Sequence, residues 1–153
     1  MTDDYDPFVV YLAGPVNNVE DGGKSWRDTV KESYEDVPFV EFRDPLDKYN
    51  VSVEDLTIVD EEPSGDDEVA VSKLVSSDKF MIKDSDVLFI GYEPVQSIGT
   101  PMEVMWAYER DYPIGMWLRG HEYDDLSPWY KHHVDVFEQM SLKTIERLAF
   151  LKA

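Results

Sequence analysis

Two carboxylates occupy positions that folding alone does not readily explain. Asp78 lies four residues after Leu74, three before Met81 and four before Ile82, in a run where Val71, Leu74, Val75, Met81 and Ile82 recur at helical spacing. A carboxylate on that stripe is turned toward a sheet or its rim. Burying an unpaired charge is costly, so the position calls for a partner, a raised pKa or a substrate that takes up the proton. The other reading is that helix rotation carries Asp78 to the edge of the stripe and into water. Glu103 ends the stretch Thr100-Pro101-Met102-Glu103, which fits a capping box. Thr100 would be the N-cap, Pro101 the first helical residue, and Glu103 the side chain reaching back to the cap amide. Its location adds a second reading, because this helix starts just after a buried strand, at the carboxyl edge where open α/β sheets bind ligands.

The elements that must hold these acids follow from apolar runs and turn signals. Stretches at 8–13, 38–42, 86–91, 112–118 and 134–137 read as strands: 8–13 is a continuous apolar run, and 86–91 is nearly all apolar and so covered on both faces. Helical patterns occupy about 24–34, 69–83, 101–110 and 141–151, the last with Leu142, Ile145, Leu148 and Ala149 on one face. Alternating strands and helices joined by short turns imply right-handed crossovers and a parallel sheet. The expected architecture is a three-layer, flavodoxin-like α/β domain, a doubly wound sheet of about five parallel strands. Tyr11 then falls near the carboxyl end of the first strand, either as core or as part of a site. Asn17 and Asn18 follow the Gly14-Pro15 turn, where they either shape the loop or touch a ligand. Residues 47–68 contain the acidic, turn-rich segment D-E-E-P-S-G-D-D-E, expected to be a mobile surface excursion.

The 153 residues fit one domain spanning 1–153, and they carry 33 Asp and Glu against 14 Lys and Arg, a net charge of −19. Self-repulsion on that scale disfavours a compact state in dilute buffer, so the composition is that of a chain adapted to high salt. It also argues against recognition of polymeric nucleic acid, which needs a basic footprint. No run of eighteen apolar residues or charged-then-apolar leader is present, so no membrane partner and a cytoplasmic location are expected. With no Cys there are no disulfides or thiolates, and His121, His132 and His133 lack metal-ligand spacing. Neither G-x-G-x-x-G nor a full G-x-x-x-x-G-K-[ST] occurs. No metal and no cofactor are expected.

Taken together, Y-L-A-G-P at 11–15, Asp78, S-D-V-L at 85–88 and S-I-G-T-P-M-E at 97–103 resemble the nucleoside 2-deoxyribosyltransferase family, including its deoxynucleoside 5′-monophosphate N-glycosidase relatives. The resemblance covers roughly residues 8–118. It implies that Glu103 is the nucleophile, that Asp78 assists the departing base and that Tyr11 positions the nucleophile. It makes Gly14, Pro15, Asn17, Asp44, Ser97, Gly99 and Thr100 candidate substrate-binding residues. The expected chemistry is double displacement with Glu103 kept ionised by its helix N-terminus and Asp78 raised in pKa by burial. Expected partners are a small-molecule nucleoside or nucleotide, a free base, and further copies of the chain in a homodimer or larger assembly. The segment 117–130 is the candidate subunit contact, and Trp129 and Tyr130 either cover a base or pack between subunits. The family's C-terminal aromatic carboxylate has no counterpart in the final Leu151-Lys152-Ala153.

Overall fold

The apolar run Val87–Gly91, buried at every residue, is the middle strand of a five-stranded parallel sheet in a computed structural model that describes residues 6–49, 51, 52 and 55–153. In chain order the elements are β1 (Phe8–Ala13), α1 (Lys24–Glu32), β2 (Val40–Arg43), a 3-10 turn (Pro45–Lys48), β3 (Thr57–Val59) and β4 (Glu68–Ala70). There follow α2 (Val71–Lys83), β5 (Val87–Gly91), α3 (Gly99–Tyr108), β6 (Ile114–Trp117), a second 3-10 turn (Tyr123–Asp125), α4 (Pro128–His133), β7 (Val136–Glu138) and α5 (Ser141–Lys152). The main sheet runs β2-β1-β5-β6-β7, every neighbouring pair parallel, which is the doubly wound order expected from the sequence.

Strand alternation sorts the core into two layers. Val10 and Leu12 join Trp26 and Val30 of α1 and Ile145 and Leu148 of α5, while Tyr11 and Ala13 join Ile82 of α2 and Val104 and Ala107 of α3. The period of two thus sends Tyr11 to the face that carries the helices of Asp78 and Glu103. At the amino edge, Asp86 Oδ2 accepts the Val9 N–H at 2.8 Å and Asp135 Oδ2 the Ile114 N–H at 2.9 Å, which fixes adjacent strands where ladder bonding ends.

Two expectations need correction, and one helix is added. Part of the 47–68 segment is ordered into regular structure: β3 pairs in parallel with β4 as a separate two-stranded sheet, Ile58 opposite Val69; residues 50, 53 and 54 lie outside the described residues. Serine, proline and acid content hid the short β-branched run Thr57-Ile58-Val59 and its partner around Val69. Within the aromatic-rich stretch after β6, Ser127 accepts the Trp129 N–H and starts the six-residue α4. Helix α3 begins at Gly99 with Ile98 as its N-cap and no side-chain capping bond, so the capping box at Thr100 and Glu103 does not form. Among the described residues no helix is long and apolar enough to cross a membrane.

Candidate active site

Beyond the carboxyl ends of β1 and β5, the loops after β1, β2 and β5 enclose a cavity of ≈ 410 Å³ into which Asp78 and Glu103 both face. Asp78 reaches it because Leu74, Asp78, Met81 and Ile82 form the inward side of α2; Val71 and Val75, counted on the stripe from spacing, are exposed at the helix's first turns. Glu103 is the fifth residue of α3, one turn into the helix that follows the loop after β5. Leu46, Tyr49, Leu56, Ile58 and Leu74 give the hollow an apolar wall. Such a mix of apolar wall and few convergent polar groups suits a small organic ligand.

The two acids sit in unlike surroundings. Glu103 Oε2 is buried without a hydrogen-bond partner, and burial pushes its carboxyl up to about 7, with Asp78 adding to the rise and Tyr11, Arg27 and Lys48 opposing it. The helix N-terminus is expected to favour the ionised form of Glu103, and burial works against it. At the fifth helical position the dipole field has largely fallen away, and desolvation wins. Asp78 is also raised by burial, but Lys48 forms an ion pair with it and pulls the other way. Lys48 also donates to Ser77 Oγ at 2.7 Å, which anchors the 3-10 turn to α2. Tyr11 is wholly buried and its hydroxyl has no partner; it faces Glu103 without closing a hydrogen bond of normal geometry. Burial, with the negative charge of Glu103 and Asp78, holds that phenol far above the usual range, as a neutral donor.

Of the residues singled out from sequence, Gly14, Asn17, Ser97, Gly99 and Thr100 line this cavity beside the two acids, and Tyr11 lies beneath it. Pro15 lines a neighbouring hollow of ≈ 550 Å³, which shares Gln96, Ser97 and Thr100 with the first and has Trp129 and Tyr130 on its wall. Trp129 and Tyr130 therefore do not cover the Asp78–Glu103 cavity within one chain. Asp44 is outside the cavity lining: it is buried, caps the 3-10 turn through the Leu46 N–H, and pairs with Lys31 at 2.8 Å and Arg27 at 3.6 Å. Trp117 packs inward against Trp26 and Phe89, so of the aromatic 117–130 segment it is Trp129, 70% exposed, that is most available to a partner.

Sequence reasoning missed Arg27, Lys48 and Tyr49. Arg27 and Tyr49 line the cavity and Lys48 reaches Asp78. The only local signal was an arginine next to Trp26 and three residues before Val30, inside the buried stripe of α1.

No protein-family model matches the chain, and no curated protein matches it by sequence. Solved structures do. A conserved protein from Enterococcus faecalis V583 superposes with a TM-score of 0.64 at 15% identity over 94% of this chain and 98% of that one. A 2-deoxyribosyltransferase from the psychrotolerant bacterium Bacillus psychrosaccharolyticus gives 0.62 at 18% identity over 90% of each chain. The five-stranded parallel sheet, its order and these superpositions identify the chain as having the nucleoside 2-deoxyribosyltransferase-like fold.

Proposed function

We propose that the protein cleaves the N-glycosidic bond of deoxynucleosides and transfers the sugar to another base. The observation that carries this reading is the sharing of one cavity by Asp78 and Glu103, with the Tyr11 hydroxyl buried beside Glu103. Ionised Glu103 attacks the anomeric carbon as the carbon–nitrogen bond breaks. In the reactive form Glu103 has given up its proton and Asp78 holds one; the bond's electron pair leaves on the base nitrogen, which takes that proton from Asp78. A nitrogen of the incoming base then attacks the same carbon, Glu103 departs as carboxylate, and the acceptor's proton returns to Asp78. The neutral Tyr11 phenol orients the attacking oxygen, and the apolar wall restricts water. No cofactor enters these steps. The working unit is proposed as a homodimer or larger assembly in the cytoplasm, with Trp129 at the subunit contact.

A second reading, hydrolysis of deoxynucleoside 5′-monophosphates, is favoured by one feature: the first amides of α3, at Gly99 and Thr100, carry no side-chain cap and lie next to Ser97 on the cavity wall. Free helix amides attract anions such as a 5′-phosphate. Chromatography of deoxynucleosides or their 5′-monophosphates, incubated with free bases in molar KCl, tests both. New nucleosides mean transfer, and free base with accumulating sugar or sugar phosphate means hydrolysis. No turnover of either substrate refutes the enzymatic reading and leaves a nucleotide-binding module.

A further inference from the structure

Arg27 stands out among the groups that this mechanism leaves unused. Its side chain is 1% exposed, yet it belongs to the lining of the Asp78–Glu103 cavity. Nη1 donates to the Gly23 carbonyl at 2.9 Å and Nη2 to the Gly14 carbonyl at 3.1 Å, while Nε has no hydrogen-bond partner. The guanidinium lies 4.6 Å from the Trp26 ring centre and 3.6 Å from Asp44, itself buried and held by Lys31. Glycines make room for this arrangement. A Cβ on Gly23, whose φ is +82°, would meet Arg27 Nη1 at 2.4 Å; one on Gly14 would meet Trp26 at 2.7 Å, and one on Gly91 would meet Trp26 at 2.6 Å. A buried arginine fixed by two carbonyls, a ring and a carboxylate cannot swing away, so its charge is a constant feature of the cavity floor.

We propose that Arg27 is a positioning residue of the site: it pins the Gly14 turn under the cavity and serves as the fixed counter-charge to the Glu103 carboxylate. This rests on the reading of Glu103 as nucleophile, for which a charged state is required. The ionisable groups facing Glu103 are Tyr11 from β1, Arg27 from α1, Lys48 from the 3-10 turn, Asp78 from α2 and Tyr130 from α4. Two of these five are cations. Lys48 is already paired with Asp78. Arg27 is shared with Asp44, but Lys31 supplies Asp44 with a second, closer cation, which leaves Arg27 charge to act on the cavity. The pair Arg27–Asp44 thus exists for the site as much as for the fold: a core of the same shape built from apolar residues would pack with less desolvation.

The test reads Glu103 ionisation without using activity. Carboxyl-selective infrared or carbon NMR titration, assigned by difference from Glu103→Gln, gives the Glu103 midpoint in the parent, in Arg27→Lys and in the double variant Arg27→Met/Asp44→Asn. The double variant removes the buried pair together, so that no lone Asp44 charge unfolds the chain. The expected result is a midpoint that rises by about 0.5 pH unit or more in the double variant and stays near the parent value in Arg27→Lys. In parallel, the acid limb of the rate profile should move to higher pH by the same interval. Equal midpoints in the parent and the folded double variant would overturn the proposal. If the midpoint moves but neither protein turns over nucleosides or nucleotides, the counter-charge role stands and the glycosidic reading fails.

Discussion

Replacing Glu103 by Gln separates what the residue does for stability from what it does for chemistry. In the folded chain the carboxyl titrates at about 7 against an ordinary value of 4.5. At ~1.4 kcal/mol per pH unit, that interval is a penalty of about 3 kcal/mol on the folded state once Glu103 is ionised. The sign follows from the direction of the shift. Below pH about 4.5 both states hold the proton and nothing is lost; as pH rises toward 7 the unfolded chain releases it first, and stability falls; above 7 the penalty is complete. Gln has the same shape and never ionises. Glu103→Gln should therefore match the parent near pH 4 and exceed it near pH 9 by about 3 kcal/mol, a Tm gain of roughly 6–12 °C for a chain of this length. The assay is paired thermal unfolding in constant 3 M KCl, where surface repulsion is screened at both pH values. Turnover of deoxynucleosides by the same variant should fall by at least about 10³-fold. A difference between variant and parent that does not change with pH would refute the buried, elevated carboxylate, and unimpaired turnover would remove Glu103 from the mechanism.

Other perturbations follow from the same geometry. Asp78→Asn should lower turnover by about 10²- to 10⁴-fold while leaving substrate binding, followed by calorimetry, near the parent value. Lys48→Met removes the cation that opposes the rise in Asp78 pKa, so the alkaline limb of the rate profile should move to higher pH; an unmoved limb would mean Asp78 is not the acid. Gly14→Ala sets a Cβ 2.7 Å from Trp26 Cζ2 and 3.1 Å from the Gly91 carbonyl, and unfolding should record a loss of about 1–3 kcal/mol. With a net charge of −19, denaturation midpoints should climb steadily between 0.1 and 3 M KCl; a flat response would show an ordinary acidic protein.

How much of this was readable from the chain depends on whether a feature is local. The run 8–13 is apolar throughout and the run 86–91 nearly so after Asp86, so they read as buried parallel strands, and the structure makes them the neighbours β1 and β5. The inward placement of Asp78 was legible from Leu74, Met81 and Ile82, because a helix repeats its face every three or four residues. The capping box was legible and misleading. Thr-Pro-x-Glu fits the motif, but the helix starts two residues earlier, at Gly99, so Thr100 is a buried helical residue and Glu103 turns into the cavity instead of back to a cap. Asp44 had the right loop and the wrong neighbours: its charge goes to Arg27 and Lys31, which lie 17 and 13 residues before it in sequence.

The sequence by itself determined the five strands of the main sheet, their parallel direction, the inward side of α2 that carries Asp78, and the excess of negative charge, all of which depend on residue type and local periodicity. Tertiary structure alone decided how hard Glu103 is to ionise. That property depends on how many water molecules and cations surround a carboxylate, and the groups that settle it for Glu103, namely Tyr11, Arg27, Lys48 and Asp78, come from four separate segments of the chain. Desolvation is a sum over space, and neighbours in space cannot be read from neighbours in sequence.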